Sequence, residues 1–365
     1  MGDIYSKYAN LLVNFSLRVK KGDRFIIQAT YLAEPLLNEL YKEALKVGAF
    51  PEFRISLNGT EKIFYDYASD EQLKFVSPLI EYAFGKYEKL LTIISPFDMR
   101  ELQDVDPEKI QKVRIARKDV QKTIHQRAAK GEFDWSLCVF PTKAAAQECS
   151  MTLSEYEDFV FRACFLYDDD PITRWNEIKN SQQRIVDYLN ARQRVRYLGR
   201  DIDISFSTAG RNWHNSYGTN NMPSGEVFTC PVDDSVNGKV RFTFPGFFMG
   251  KEIEDISLEV KNGEVVKWNA ARGKDLLDKL LDIPGARRFG EAAVGTNFGI
   301  NRFTKNMLFD EKIGGTIHMA LGSSLPEAGG KNESAIHWDM LADMRDGGKI
   351  FADGELVYEN GKFLI

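Results

Sequence analysis

At 365 residues the chain is longer than one hydrophobic core usually serves, so two domains are expected, each large enough for its own interior. Hydrophobic residues at 43% and charged residues at 28% are ordinary values for a folded soluble protein. A net charge of -5 without any basic block argues against an electrostatic nucleic-acid binder.

The N-terminal residues Asp3, Lys7 and Asn10 interrupt any apolar stretch, so neither a signal peptide nor a membrane span is expected. Gly2 with Ser6 meets only the loosest myristoylation pattern. Residues 25–30 then form a short apolar run, 33–47 carry Leu36, Leu37, Leu40, Ala44 and Leu45 at helical spacing, and 51–56 read as a second strand. A further strand is expected over 90–95, a long charged helical stretch over 107–130, and a buried strand over 135–140. Helical patterns occupy 153–166 and 171–189. Such alternation predicts an α/β domain, a parallel or mixed sheet covered by helices.

Near residue 190 the texture changes. Strand patterns now dominate, at 194–198, 201–207, 227–229, 239–244, 256–261 and 264–270, and Asn262-Gly263 between the last two is a strong hairpin signal. The chain therefore divides into an α/β N-terminal domain, 1–190, and a β-rich (α+β) C-terminal domain, 191–365. The cysteines Cys138, Cys149, Cys164 and Cys230 include no C-x-x-C pair and read as reduced, packed thiols, which fits a cytoplasmic location. In that setting the sequons at Asn58 and Asn332 carry no weight.

The chemistry gathers late in the chain. In Thr316-Ile317-His318-Met319-Ala320-Leu321 the large apolar residues alternate with His318, which places the imidazole on the opposite face of a strand. Ile336, Trp338 and Met340 alternate in the same way with His337 and Asp339. Glu226 opens a strand after a turn-like segment, and Glu291 stands in the apolar run Phe289-Gly290-Glu291-Ala292-Ala293-Val294, where a buried carboxylate needs a partner or a cation. Imidazole and carboxylate together are the usual ligands of divalent ions. Taken singly, a strand histidine is more often a hydrogen-bonded core or surface residue than a ligand, and Glu226 reads as a surface carboxylate at least as well. Two other histidines have plainer readings: His125 is solvated on a charged helix, and His214 packs beside Trp213 or lines a cleft. Gly329-Gly330-Lys331 lacks the context of a phosphate loop and reads as a turn.

Asn221-Met222-Pro223-Ser224-Gly225-Glu226-Val227-Phe228-Thr229, Gly290-Glu291-Ala292-Ala293, Ile317-His318-Met319-Ala320-Leu321-Gly322 and Ile336-His337-Trp338-Asp339-Met340 occur in the order found in one peptidase family. With Pro141-Thr142, Gln147-Glu148 and the stretch from Glu157 to Cys164 upstream, the chain resembles the thermophilic aminopeptidase T and aminopeptidase S family of metallopeptidases. The resemblance implies a cytoplasmic, homodimeric metalloaminopeptidase that removes N-terminal residues from peptides. Its β-rich domain would be catalytic and would carry two divalent metal ions, whether zinc, cobalt, manganese or magnesium. Position by position it implies Glu226, Glu291, His318, His337 and Asp339 as metal ligands, with Glu311, near another acidic position of the family site, as a further candidate ligand. A carboxylate must also carry the water's proton to the leaving amine, and Glu226 either takes that role or serves only as a ligand.

One position departs from the family. Where a tyrosine commonly follows the first metal histidine, the chain reads Gly322-Ser323-Ser324-Leu325-Pro326, and leucine donates no hydrogen bond. Loss of one oxyanion donor costs about 100-fold to 1,000-fold in rate. A metal-dependent hydrolase of another small amide, and a non-catalytic peptide-binding relative, therefore stand as alternatives.

Overall fold

The apolar runs of the first half become the parallel strands Arg24–Thr30, Phe50–Ser56, Lys89–Ile94 and Asp134–Val139 of a computed structural model that describes residues 2–248 and 250–365. Their spatial order is second, first, third, fourth, and the short strand Asn221–Met222 pairs parallel at the far edge. Contacts divide the chain into Met1–Ile172 with Gly218–Pro223, and Thr173–Tyr217 with Ser224–Ile365. The first unit is thus an α/β unit. Its helix Glu34–Lys46 buries Leu36, Leu37, Leu40 and Ala44 of the stripe its spacing predicts, while Leu45, at the edge of that stripe, is exposed.

The charged stretch expected over 107–130 is two helices, Pro107–Ala116 and Lys118–Ala129, because Arg117 leaves helical geometry at φ -82, ψ 5. Val113 and Val120 stand seven apart and would share one face of a straight helix. They instead enter different apolar clusters, Val113 with Tyr65, Leu73 and Val105, and Val120 with Phe84, Leu90 and Phe133. The break lets one segment serve both. Helix Leu153–Ala163 opens on a capping box of Thr152 and Glu155 and stops short of residue 166, where Phe165 takes a positive φ of 56.

The second unit contains, among the described residues, an eight-stranded sheet, a small hairpin and a five-stranded sheet. Asn262 and Gly263 close the hairpin of Ile256–Lys261 and Glu264–Asn269 with positive φ at both turn positions, 50 and 79. A Cβ at Gly263 would lie 1.8 Å from the Asp233 carbonyl oxygen, so no other residue fits. The five-stranded sheet runs in the order His337–Asp343, Thr316–Gly322, Phe289–Gly295, Glu226–Thr229, His214–Ser216, each pair antiparallel. Its Val227, Ala292, Val294, Ile317, Met319, Trp338 and Met340 share one apolar core with Tyr197, Ile204, Phe242, Ile256 and Leu258 of the larger sheet. Ile185, Val186 and Leu189 of helix Pro171–Asn190 join them. All four cysteines are buried, and among the described residues no helix is long and apolar enough to cross a membrane.

Candidate metal centre

The side of the five-stranded sheet turned away from its core collects the polar residues. Along Thr316–Gly322 the core takes Ile317, Met319 and Leu321, leaving His318 on the other face. Strand His337–Asp343 pairs with it so that Ala320 lies opposite Asp339 and Gly322 opposite His337. Trp338, 3% exposed, points into the core and donates from Nε1 to the Phe247 carbonyl at 3.0 Å. An anchor of that size contributes about 3–5 kcal/mol. It holds the residues on either side of it, His337 and Asp339, towards His318. Small residues make the room: Ala293 is opposite His318, and Gly295 is opposite Glu226.

Glu291 reaches this face through an irregularity. Phe289 lies in the core, and plain alternation would put Glu291 there too. The pairing shifts between Phe289 and Glu291, a β-bulge at Gly290, after which Ala292 and Val294 take the core and Glu291 turns outward. Gly290 is required there, since a Cβ would lie 2.3 Å from the Ser323 carbonyl oxygen and 2.6 Å from that of Gly322. Gly290→Ala is expected to push this corner open, lowering stability by about 1–3 kcal/mol and displacing the Ser323 carbonyl that holds His337. A thermal melt and a metal titration of the variant test this; wild-type values in both would refute the close-approach account.

Five side chains meet. His318 Nε2 lies 3.5 Å from Glu226 Oε2 and 3.6 Å from Glu291 Oε1. His337 Nε2 lies 2.9 Å from Glu291 Oε2 and 3.6 Å from Asp339 Oδ2. The ligand atoms of Glu291, His337 and Asp339 all fall within 4.8 Å of one another. His337 Nδ1 is 2.7 Å from the Ser323 carbonyl, so Nδ1 carries the proton and donates it there, which leaves Nε2 facing the acids. Buried Gln182 fixes the strand beneath, donating to the carbonyls of Ser216 and Glu226, both at 3.0 Å.

The residues suit a cation. Glu226 Oε2, Asp339 Oδ1 and His318 Nδ1 are buried without a hydrogen-bond partner, a costly state for carboxylate oxygens that a divalent ion would relieve. Burial raises the pKa of Glu226 and of Asp339. Burial also opposes charge on the imidazoles, but the carboxylates, Glu291 foremost, win and hold His318 up at about 9 and His337 at about 10. A field that binds protons so strongly favours positive charge generally.

That field fixes a pH dependence. Imidazole pKa values raised from 6.5 stabilise the metal-free fold fully below pH 6.5, and this contribution is lost as pH rises through about 9 to 10. An ion that replaces those protons has less competition at higher pH. The gap in melting temperature between metal-loaded and chelated protein is therefore expected to widen from pH 6.5 to pH 9. A gap that stayed constant or narrowed would contradict the placement of ions at these imidazoles.

Glu311 lies to one side. Its carboxylate is bonded to Lys312 Nζ, which stands 3.5 Å from Glu226 Oε1, and among the described residues it makes no ion pair with either imidazole. Lys312 is the residue that sequence reasoning missed: it is fully buried, and although burial disfavours its charge, Glu226 and Glu311 hold its pKa above the ordinary lysine value. Nothing in the spacing of Asp310-Glu311-Lys312-Ile313 marks a buried lysine. His125 is exposed on its helix. His214 stacks on Phe228 with ring centroids 5.3 Å apart and bonds the Glu327 carbonyl at 2.8 Å, a packing role.

Three carboxylates and two imidazoles converging on one face of a sheet define a candidate centre for divalent metal. The chain belongs to the thermophilic metalloprotease (M29) family, whose model matches residues 3–363. It is 29% identical to Aminopeptidase 2 of Geobacillus stearothermophilus, over 93% of this chain and 92% of that one. It is 25% identical to Aminopeptidase T of Thermus thermophilus, over 97% and 95%. A solved structure of wild-type AmpT from Thermus thermophilus superposes with a TM-score of 0.83 at 23% identity, covering 99% of each chain, and shows the same fold.

Proposed function

We propose that the chain is an aminopeptidase that removes N-terminal residues from peptides with the aid of two divalent ions held by Glu226, Glu291, His318, His337 and Asp339. The observation that carries this reading is the Glu291 carboxylate. Its Oε1 faces His318 and its Oε2 faces His337, so one side chain addresses two halves of the centre, as a bridging ligand between two ions must. Bound there, divalent ions would polarise the scissile carbonyl and acidify a water molecule.

The chain's own residues divide the remaining work. Glu226 is assigned the proton transfer, as a carboxylate facing His318 on one side and Lys312 on the other that can take a proton from water and return it to a leaving amine; burial raises its pKa in the metal-free protein. Leucine at position 325 supplies no side-chain donor, and the Leu325 N–H is already turned to Cys230 Sγ at 3.3 Å. This favours a second reading, hydrolysis of a different small amide by the same centre. The resemblance further supports a cytoplasmic homodimer, and the donor set accepts zinc, cobalt, manganese or magnesium.

Metal analysis together with hydrolysis of amino-acid p-nitroanilides separates these readings. Two bound ions with turnover, lost when the amino group is acetylated, is the expected result. Two ions without turnover of these substrates would favour the second reading, and protein that binds no divalent ion would overturn both.

A further inference from the structure

Among the described residues of the second unit, Lys312 is the one fully buried lysine, and it sits beside only one half of the centre. The Glu291, His337 and Asp339 half has its ligand atoms within 4.8 Å of each other. Among the described residues, no lysine or arginine pairs with those carboxylates. The other half consists of His318 Nε2, Glu226 Oε2 and the second oxygen of Glu291. There the Lys312 ammonium lies 3.5 Å from Glu226 Oε1 and is tied on its other side to Glu311. The ammonium is encased, so neither water nor salt screens it well.

We propose that Lys312 is a resident cation that makes the two halves unequal: a divalent ion binds strongly at Glu291, His337 and Asp339, and weakly at Glu226 and His318, where it competes with the ammonium for Glu226. This rests on the two-ion reading above. Residues behind a metal ligand commonly accept a hydrogen bond from it and raise its basicity, so that removing them weakens metal binding by about 10-fold to 100-fold. A cation behind a carboxylate does the opposite. It draws negative charge away from the metal and repels the incoming ion. The sign of the effect therefore separates a competing cation from a merely positioning side chain.

The test is titration of full-length, metal-free protein with Zn2+, followed by calorimetry and by metal analysis after dialysis. Wild type is expected to fill in two steps whose constants differ by at least about tenfold. His318→Ala should abolish the weaker step alone, whereas His337→Ala should abolish the tighter one. Lys312→Gln should tighten the weaker step by about tenfold or more, and Lys312→Arg, which keeps the charge, should leave it near wild type. Two equal steps in wild type, or a weaker step that Lys312→Gln loosens or leaves unchanged, would overturn the proposal while leaving the two-ion reading intact. Absence of any Zn2+ binding would instead sink that reading. Should Lys312→Gln fail to fold, the wild-type isotherm with the two histidine variants still decides the inequality, and Lys312→Arg the dependence on charge.

Discussion

Replacing Glu291 with glutamine is expected to reduce kcat/KM on N-terminal amides by at least about 1,000-fold, equivalent to about 4 kcal/mol of transition-state stabilisation. Among the described residues, Glu291 is the only carboxylate within 4.0 Å of both imidazoles, at 3.6 Å from His318 and 2.9 Å from His337. Its charge survives burial because His337, bonded to it at 2.9 Å, and His318, 3.6 Å away, hold its pKa well below the usual carboxylate range. Glutamine keeps the shape and the packing but offers a neutral oxygen to one side and an N–H to the other. One half of the centre must then lose one of its two anionic ligands. The checks are steady-state kinetics and metal content after dialysis, on protein whose circular dichroism matches wild type. Full metal content with wild-type turnover would end the bridging role assigned to this residue.

A second large effect is expected from His337→Ala, and its character differs. His337 opens its strand and its side chain is 30% exposed, so truncation leaves no sealed cavity. The losses in the metal-free protein are its hydrogen bond to the Ser323 carbonyl, worth about 1 kcal/mol, and its charged bond to Glu291 at 2.9 Å, the larger of the two while the imidazole is protonated. Metal affinity should fall far more, since Glu291 and Asp339 would be left to bind an ion at that half without the imidazole. The chelated variant should therefore melt below chelated wild type at neutral pH, and, beyond that offset, the stabilisation gained on adding metal should be largely lost. His318→Ala offers the contrast. That ring is 1% exposed, so its removal leaves a sealed cavity as well and should lower metal-free stability further. If His337→Ala gained as much stability from metal as wild type, the imidazole would not be a ligand.

The two faces of the last strands can be read from the residues alone. Alternation in Thr316–Gly322 and His337–Asp343 sorts Ile317, Met319, Trp338 and Met340 to the core and His318, His337 and Asp339 away from it, because a strand's period is two and the chemical contrast is sharp. The α/β character of the first half and the β-rich second half follow from the same periodicities. What one sequence leaves dark is what depends on partners distant in the chain. Arg117 breaks a helix because Val113 and Val120 have separate clusters to join, and those clusters exist only after folding. Lys312 is held by Glu226, far upstream, so its burial has no local signature. The side on which Glu291 falls is decided by the bulge at Gly290, which no count of apolar residues reveals.

That bulge amounts to a phase slip in the strand's counting. On one side of it Phe289, an odd-numbered position, belongs to the interior; on the other Ala292 and Val294, even-numbered ones, do, and the carboxylate stands at the first position of the new phase. Errors of length along this strand are therefore unequal. Loss of Gly290 itself would restore plain alternation, with Phe289 inward, Glu291 outward and Ala292 inward, at the cost of drawing the carboxylate back along the strand by about 3.4 Å. Loss of Ala293, three positions further on, would instead turn Val294 onto the polar face and carry Gly295 into the core. The first error shifts an acid; the second sets an apolar side chain among the ligands and leaves a gap in the interior.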